Sequence, residues 1–270
     1  MTSSTHPDRH ALPSALVRWE EIKRRLAKGT PALFLDYDGT LTPIRARPEL
    51  ATLCEGHRQI LRSVAKVIPS AVVSGRSRSD VQTLVGLKEL AYAGSHGFDI
   101  VGPYGATVEY EVAEWIQAVM KHVSQDLRTR LRGISGCTVE SKEYSVAIHT
   151  RLVAPDEVSG IEQSVDEIVA GDEHLKKTVG KKLFEVRPAV DWDKGRCLPV
   201  LLNALGVSPN DSTMVYIGDD TTDEDAFQRL REDDIGILVS QDPRPTAASF
   251  SLQDPGEVFE FLKQLQTWAK

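Results

Sequence analysis

The feature that most constrains the fold of this chain is a recurring pattern, in which a short apolar run passes directly into a polar loop. The clearest cases are the runs 32–35, 71–73 and 214–217, which lead into the loops 36–40, 74–76 and 218–223. Runs at 90–92 and 235–239 follow the same pattern. Each run is continuously apolar and too short for a helix, which indicates a strand buried on both faces.

Stretches with helical character separate these runs, near 56–66, 78–86, 194–206, 222–231 and 256–269. Strands that alternate with helices predict an α/β fold with a doubly wound, Rossmann-like parallel sheet. Ligands bind to such sheets at the carboxyl ends of the strands. Because the most polar loops all follow predicted strands, we expect one edge of the sheet to bring them together as a functional site.

The middle of the chain interrupts this pattern. It predicts a long amphipathic helix, two alternating strands, a second helix and a third strand, over 111–132, 137–142, 145–152, 157–170 and 181–186. These elements suit an inserted α+β cap domain. The predicted division is an N-terminal tail and helix at 1–30 (with helical spacing over 12–28), a core domain at 31–110 and 188–270, and the cap at 111–187.

Composition narrows the classes of function. The formal net charge of −7 argues against a nucleic-acid or anionic-membrane partner, since both require a basic field. No run approaches the roughly 18 apolar residues of a spanning helix, and the polar start lacks the apolar core of a signal peptide. The three cysteines (Cys54, Cys137 and Cys197) are far apart and read as free thiols. We expect a cytoplasmic monomer that acts on a small molecule.

Two aspartates stand at the end of the first predicted strand. Asp36 and Asp38 flank Tyr37, and alternate residues of an extended chain point to the same side. Two close carboxylates repel each other unless a cation lies between them. The segment LFLDYDGTLTPI resembles the nucleophile loop of the haloacid dehalogenase superfamily, in which a strand leads into DxDGTL.

Three further segments resemble the remaining motifs of that superfamily, in the same order and at predicted strand ends. Ser74 in AVVSGR matches the residue that holds a phosphoryl oxygen, and Lys194 in DWDKG matches the cation that neutralises the phosphate. The acidic magnesium-binding motif corresponds to Asp219 and Asp220, with Asp223 close behind. The resemblance therefore implies a complete phosphoryl-transfer site.

The resemblance also implies a mechanism. Asp36 attacks phosphorus and forms an aspartyl phosphate, while Asp38 protonates the leaving oxygen and later activates water. Mg²⁺ is the implied cofactor, held by Asp36, the main-chain carbonyl of Asp38 and Asp219. Asp220 and Asp223 would supply a further ligand and an orienting group, and which does which stays open. Asp223 is also placed to cap the helix that follows it.

A finer resemblance covers residues 31–265 and points to the trehalose-6-phosphate phosphatase family. It is carried by VVSGRS, GSHG, VESKEYSVAIH, KKLFEVRP, VDWDKG and YIGDDTTDEDAF. In that family, E-x-K and K-x-x-x-E residues of the cap grip sugar hydroxyls. The matching positions in this chain are Glu140, Lys142, Lys181 and Glu185.

The loops of the predicted core add three more candidates for substrate binding. Gly75 and Arg76 follow Ser74 in the second motif, and His96 lies in GSHG, where many members of the family carry asparagine. We expect these loops to face the same cleft.

The expected activity is Mg²⁺-dependent hydrolysis of trehalose 6-phosphate to trehalose and phosphate, as in trehalose biosynthesis. Alternatives within the same chemistry are phosphatases for sucrose 6-phosphate or glucosylglycerol phosphate, and a phosphomutase. A receiver domain phosphorylated on aspartate is an alternative from another class, although receivers lack such an insert.

Overall fold

The fold was analysed in a computed structural model, which describes residues 12–45, 47–110, 115–180 and 182–270. The chain divides into two compact units. Unit 1 comprises the chain up to Glu109 and from Trp192 onward, and unit 2 comprises Tyr110–Asp191. In the described part of the chain, no helix has the length and apolar character needed to cross a membrane.

The strands of the described residues, in chain order, are β1 (Thr30–Leu35), β2 (Ser70–Val73), β3 (Ala91–Gly94), β4 (Asp99–Val101), β5 (Thr138–Ser141), β6 (Val146–His149), β7 (Leu175–Gly180), β8 (Leu183–Pro188), β9 (Ser212–Gly218), β10 (Ile235–Val239) and β11 (Phe250–Leu252). The helices are α1 (Trp19–Leu26), α2 (Glu55–Ala65), α3 (Arg78–Val85), α4 (Trp115–Arg130), α5 (Val158–Ala170), α6 (Leu198–Ala204), α7 (Glu224–Phe227) and α8 (Pro255–Trp268).

Unit 1 is built on a seven-stranded sheet with the order β11-β10-β9-β1-β2-β3-β4. Every neighbouring pair is parallel except β3 and β4. Strands β2, β3, β9 and β10 are buried along their whole length. The predicted α/β fold with a parallel sheet is therefore confirmed, and β1 lies near its centre.

The edges of this sheet differ from the prediction. Strands β4 and β11 have three residues each, too few for a recognisable hydrophobic period. Helix α1 is also shorter than the predicted 12–28. The segment before it pairs with the sheet edge, since the Ala15 N–H donates to the Ser251 carbonyl (2.9 Å) and the Ser251 N–H donates to the Pro13 carbonyl (3.0 Å). This pairing covers an edge that would otherwise expose backbone hydrogen-bonding groups.

Helix α8 completes the core of unit 1. Asp254 caps its first turn by accepting a hydrogen bond from the Glu257 N–H (3.0 Å), and Pro255 occupies the first helical position. On its buried face, Phe261 is fully buried and meets Trp19 edge to face at 5.7 Å between ring centroids. Helix α8 therefore packs against helix α1 and joins it to the core of unit 1.

Unit 2 contains a four-stranded antiparallel sheet with the order β5-β6-β8-β7, together with helices α4 and α5. The sequence predicted three strands here, and β7 was missed. Its sequence LKKTVG carries two lysines, which hide the apolar alternation. One of them, Lys177, forms ion pairs with Glu162 (2.8 Å) and Asp166 (2.5 Å) of α5, so its face of the sheet lies toward that helix.

The packing of α8 predicts a large loss of stability for Phe261→Ala. Removing a fully buried ring leaves a cavity, and we expect the free energy of unfolding to fall by about 3–5 kcal/mol. Urea denaturation followed by circular dichroism measures this change. The control is Val17→Ala, at a residue that is 81% exposed, where we expect a change within about 0.5 kcal/mol. Similar small changes in both variants would contradict the importance of this packing.

Candidate active site

Three polar loops emerge together at the carboxyl edge of the sheet of unit 1. Strand β1 lies between β2 and β9, and Leu35 at its end pairs with Val72 on one side and Ile217 on the other. Asp36 continues this ladder, because its N–H donates to the Ile217 carbonyl (2.9 Å). The loops that carry Asp36, Ser74 and Asp219 therefore start side by side, as parallel strands require.

Three carboxylates converge at this edge. Asp36, Asp219 and Asp223 each present an oxygen, and these oxygens lie within 4.8 Å of one another. Gly39 makes room for them: its φ is +86°, and a Cβ atom at this position would lie 2.0 Å from Asp219 Oδ2. Thr40 Oγ1 donates to Asp219 Oδ1 at 3.4 Å. The glycine of the DYDGT loop is thus needed to bring Asp219 against it.

Lys194 joins the carboxylates. Its ammonium donates to Asp36 Oδ1 (2.7 Å) and Asp223 Oδ1 (2.8 Å), and the side chain is 3% exposed. The sequence around it explains how the side chain reaches this place. Asp193 Oδ1 accepts a hydrogen bond from the Arg196 N–H (2.7 Å), which closes a tight turn. At Gly195 a Cβ atom would lie 2.2 Å from the Asp225 carbonyl, so only glycine fits there.

Asp223 receives four hydrogen bonds. Its Oδ1 accepts from Lys194 and from the Tyr216 hydroxyl (2.7 Å), and its Oδ2 accepts from the N–H groups of Asp219 (3.1 Å) and Asp220 (3.0 Å). Four donors fill the usual acceptor capacity of a carboxylate. Asp220 turns the other way, with Oδ1 accepting from the Thr221 N–H (2.7 Å). Asp223 therefore both caps its turn and enters the cluster, whereas the Asp220 carboxylate stays outside it.

The cluster carries more negative than positive charge. Burial raises the pKa of Asp36 well above its usual range, and the nearby Asp223 and Asp219 raise it further against the opposing effect of Lys194. Burial, together with Asp223 and Asp220, raises the pKa of Asp219 to about 7. Burial alone would lower the pKa of Lys194, but Asp223 and Asp36 raise it, so the ammonium stays charged. Oxygen donors, burial and excess negative charge all fit a divalent cation such as Mg²⁺.

Asp38 lies beside the cluster and makes a separate ion pair. Arg76 donates to both of its carboxylate oxygens, from Nε (2.6 Å) and from Nη2 (2.7 Å). The guanidinium also donates to Asp80 (2.8 Å) and lies 5.5 Å from the Tyr37 ring centroid. Hydrogen bonds to Asp38 are the main reason that the pKa of Arg76 is raised. The Asp38 carboxylate thus faces a cation of the protein.

The loops after β2 and β3 are joined through their backbones. The His96 N–H donates to the Ser74 carbonyl (2.9 Å), and the Ser95 N–H donates to the Arg76 carbonyl (2.6 Å). Ser95 and His96 adopt left-handed backbone conformations with φ of 50° and 58°. Residues other than glycine rarely adopt this conformation outside constrained sites. The His96 ring lies against Gly75. Ser74, Gly75, Arg76 and His96 are thus brought together as one rim.

The three described candidate residues of unit 2 share one face of its sheet. Glu140 on β5 and Glu185 on β8 both pair with Ala147 on β6. Lys142 Nζ donates to Glu185 Oε1 at 3.4 Å, which brings these two candidates together. The fourth candidate, Lys181, lies outside the described residues.

Several residues of these sites were not predicted from the sequence. Tyr216 is one of them, because its strand is buried on both faces and shows no alternation that would mark a functional side. Asp80 follows Arg76 by four residues at the start of α3, a spacing that could have suggested the pair. Trp192 Nε1 donates to the Gly97 carbonyl (2.8 Å), and no local pattern indicates this contact. Long-range partners of this kind require the tertiary structure.

Comparison with known proteins agrees on one family. A family model described as trehalose-phosphatase matches residues 34–256. Trehalose 6-phosphate phosphatase RA3 from Zea mays is 42% identical over 268 residues, which cover 94% of this chain and 74% of that protein. Probable trehalose-phosphate phosphatase D from Arabidopsis thaliana is 41% identical over 267 residues, covering 95% and 72%.

Solved structures show the same fold. The C-terminal domain of the C. albicans trehalose-6-phosphate phosphatase superimposes with a TM-score of 0.75 at 22% identity, covering 95% of this chain and 99% of that domain. A trehalose-6-phosphate phosphatase related protein gives 0.73 at 24% identity, covering 87% and 97%. These results confirm the resemblance carried by the sequence motifs. With a family model that spans most of the chain and relatives above 40% identity along nearly all of it, this chain belongs to the trehalose-phosphatase family, a family of phosphoric monoester hydrolases.

Proposed function

We propose that this protein hydrolyses trehalose 6-phosphate to trehalose and inorganic phosphate, with Mg²⁺ as cofactor. The observation that carries the proposal is the buried cluster at the end of β1, in which the Lys194 ammonium binds Asp36 beside Asp219. Similarity to relatives such as trehalose 6-phosphate phosphatase RA3 from Zea mays supports this substrate.

In the first step, a carboxylate oxygen of Asp36 attacks phosphorus opposite the sugar oxygen. The new bond to Asp36 forms as the bond between phosphorus and the sugar oxygen breaks, and Asp38 gives its proton to that oxygen. Ser74 and the N–H groups around it bind the phosphoryl oxygens, and Lys194 balances their charge. The products are trehalose and an aspartyl phosphate on Asp36.

In the second step, water replaces the aspartate. Asp38, now ionised, takes a proton from the water, whose oxygen attacks phosphorus and breaks the bond to Asp36. Phosphate leaves and the Asp36 carboxylate is restored. Arg76 binds both oxygens of Asp38 in the substrate-free chain. This bidentate pair belongs to the ionised form of Asp38, which the second step uses. For the first step the pair must open, and Asp38 must take up a proton, which it recovers from the attacking water at the end of each turnover.

The residues that would hold Mg²⁺ are Asp36, Asp219 and the main-chain carbonyl of Asp38, with Asp223 and Lys194 orienting Asp36 and the acidic loop. A carboxylate about 4 Å from a phosphate charge is repelled by about 4 kcal/mol at an effective dielectric of about 20. When bound, the ion supplies positive charge that offsets this repulsion.

Unit 2 is proposed to bind the sugar and to act as the cap of the enzyme. Glu140, Lys142, Lys181 and Glu185 are the residues assigned to this role. Charged groups hydrogen-bond sugar hydroxyls more strongly than neutral ones, and a disaccharide offers many hydroxyls. The same residues would distinguish trehalose 6-phosphate from another sugar phosphate, such as sucrose 6-phosphate or glucosylglycerol phosphate. We further propose a cytoplasmic monomer.

Asp36→Asn tests the nucleophile. The amide cannot attack phosphorus, so we expect turnover of trehalose 6-phosphate to fall by more than about a thousandfold, with the fold intact by circular dichroism. Phosphate release measures the loss. Asp156→Asn, at an exposed aspartate of unit 2, is the matched control and should retain activity. Substantial turnover by Asp36→Asn would refute the assignment.

Removal of the metal tests the cofactor. Dialysis against EDTA should stop phosphate release, and added Mg²⁺ should restore it, because the acidic cluster otherwise lacks the charge that a phosphate dianion requires. The same dialysis in Asp219→Asn should leave an enzyme that needs a higher Mg²⁺ concentration for half-maximal activity. Full activity of the dialysed wild-type chain in EDTA would contradict the metal site.

Sugar recognition is tested by comparing substrates. Glu185→Gln should lower kcat/KM for trehalose 6-phosphate by about ten- to a hundredfold, since a charged hydrogen bond to the sugar is lost. The loss for a small aryl phosphate should be far smaller. Glu173→Gln, at an exposed glutamate of unit 2, is the control. Equal losses of kcat/KM on both substrates would contradict the proposed role of unit 2 in sugar recognition.

A further inference from the structure

The sheet of unit 2 has two faces of different character. Alternation along the strands places Phe184 and Val186 on the face that carries Lys177, which contacts α5. The opposite face carries a row of residues in register across all four strands: Glu140, Ala147, Glu185 and Thr178. This second face, the polar face, has a small residue near its centre and carboxylates on either side.

Ser145 lies next to this row, just before β6. Its hydroxyl donates to Glu185 Oε1 at 2.7 Å, and Lys142 Nζ approaches the same oxygen at 3.4 Å. Among the residues that the structure describes, the hydrogen bonds and the ion pair of the Glu185 carboxylate are all made by Oε1. The second oxygen, Oε2, is therefore available to a ligand hydroxyl.

Ser145 is buried and lies on a turn closed by a backbone hydrogen bond. The Lys142 N–H donates to the Ser145 carbonyl (2.9 Å), which closes the turn between β5 and β6. Ser145 is 5% exposed, whereas the Glu185 side chain is 13% exposed and the Lys142 side chain 24%. A long glutamate side chain loses conformational entropy when it is ordered. The buried Ser145 hydroxyl, which lies on a closed turn, therefore orders the Glu185 side chain before any ligand binds.

We propose that Ser145 is a positioning residue for substrate recognition, which fixes the Glu185 carboxylate so that Oε2 accepts a hydrogen bond from a sugar hydroxyl. This inference rests on the proposed function, because it assigns Glu185 to the sugar. It adds a residue that does not touch the substrate and acts only through Glu185. The ligand class is a polyhydroxylated sugar phosphate, and the phosphate group contributes nothing to this contact.

The test is Ser145→Ala, with Ser145→Thr as the variant that keeps the hydroxyl. For Ser145→Ala we expect KM for trehalose 6-phosphate to rise about three- to tenfold, less than for direct loss of a hydrogen bond to a charged group, because Ser145 acts on the sugar only through Glu185. The change in kcat should be smaller than the change in KM. Hydrolysis of an aryl phosphate should change by less than trehalose 6-phosphate hydrolysis, and Ser145→Thr should recover most of the lost affinity.

Ser141→Ala is the matched control. Ser141 precedes the same turn, is exposed, and by alternation with Glu140 points to the other face of the sheet. It should leave KM unchanged. Thermal denaturation of all variants separates loss of folding from loss of recognition.

A double-mutant cycle shows whether Ser145 acts through Glu185. If it does, Ser145→Ala should have no further effect on KM in a Glu185→Ala background. The same KM ratio in both backgrounds would overturn the proposal, as would an unchanged KM in Ser145→Ala. Absence of any trehalose 6-phosphate hydrolysis by the wild-type chain, with aryl phosphate still cleaved, would instead overturn the proposed substrate.

Discussion

The ion pairs of Lys194 are the interaction on which the site of unit 1 depends. The ammonium joins Asp36 at the end of β1 to Asp223 in the loop after β9, at 2.7 and 2.8 Å. A buried charge without a partner costs several kcal/mol of lost hydration. Here each charge has a partner of opposite sign, and Asp223 gains three further donors. The two loops are therefore held in one arrangement by groups that would be unstable apart.

This arrangement contains more carboxylates than ammonium groups, and the difference bears on function. Three carboxylates share one ammonium in a buried place, and the pKa of Asp219 is raised to about 7 as a result of burial and of Asp223 and Asp220. Apolar groups of similar volume often replace a buried ion pair with no loss of stability, but such a cluster would bind no cation. The excess negative charge is the physical reason that this edge of the sheet suits a divalent ion together with an anionic substrate.

The same principle of ordering a reactive or binding group in advance recurs across the molecule. Arg76 holds both oxygens of Asp38, and Ser145 contacts one oxygen of Glu185. On the polar face of unit 2, His149 Nε2 lies 2.8 Å from Glu140 Oε2. In each case a carboxylate meets a neighbouring strand or loop before any ligand is present. Groups ordered in this way lose less entropy when they bind.

By itself, the sequence determined the buried strands and the parallel sheet, since continuous apolar runs such as those of β2 and β10 suit burial on both faces. Its motifs selected Asp36 and Lys194 as candidates, and the structure brings these two side chains into contact. It missed β7, where lysines hide the alternation, and the short edges β4 and β11. Tertiary structure alone decided which acidic groups share a cation: Asp223 joins the cluster, whereas Asp38 pairs with Arg76. These partners lie on different strands and loops, and spacing along a chain does not specify hydrogen-bond geometry between them.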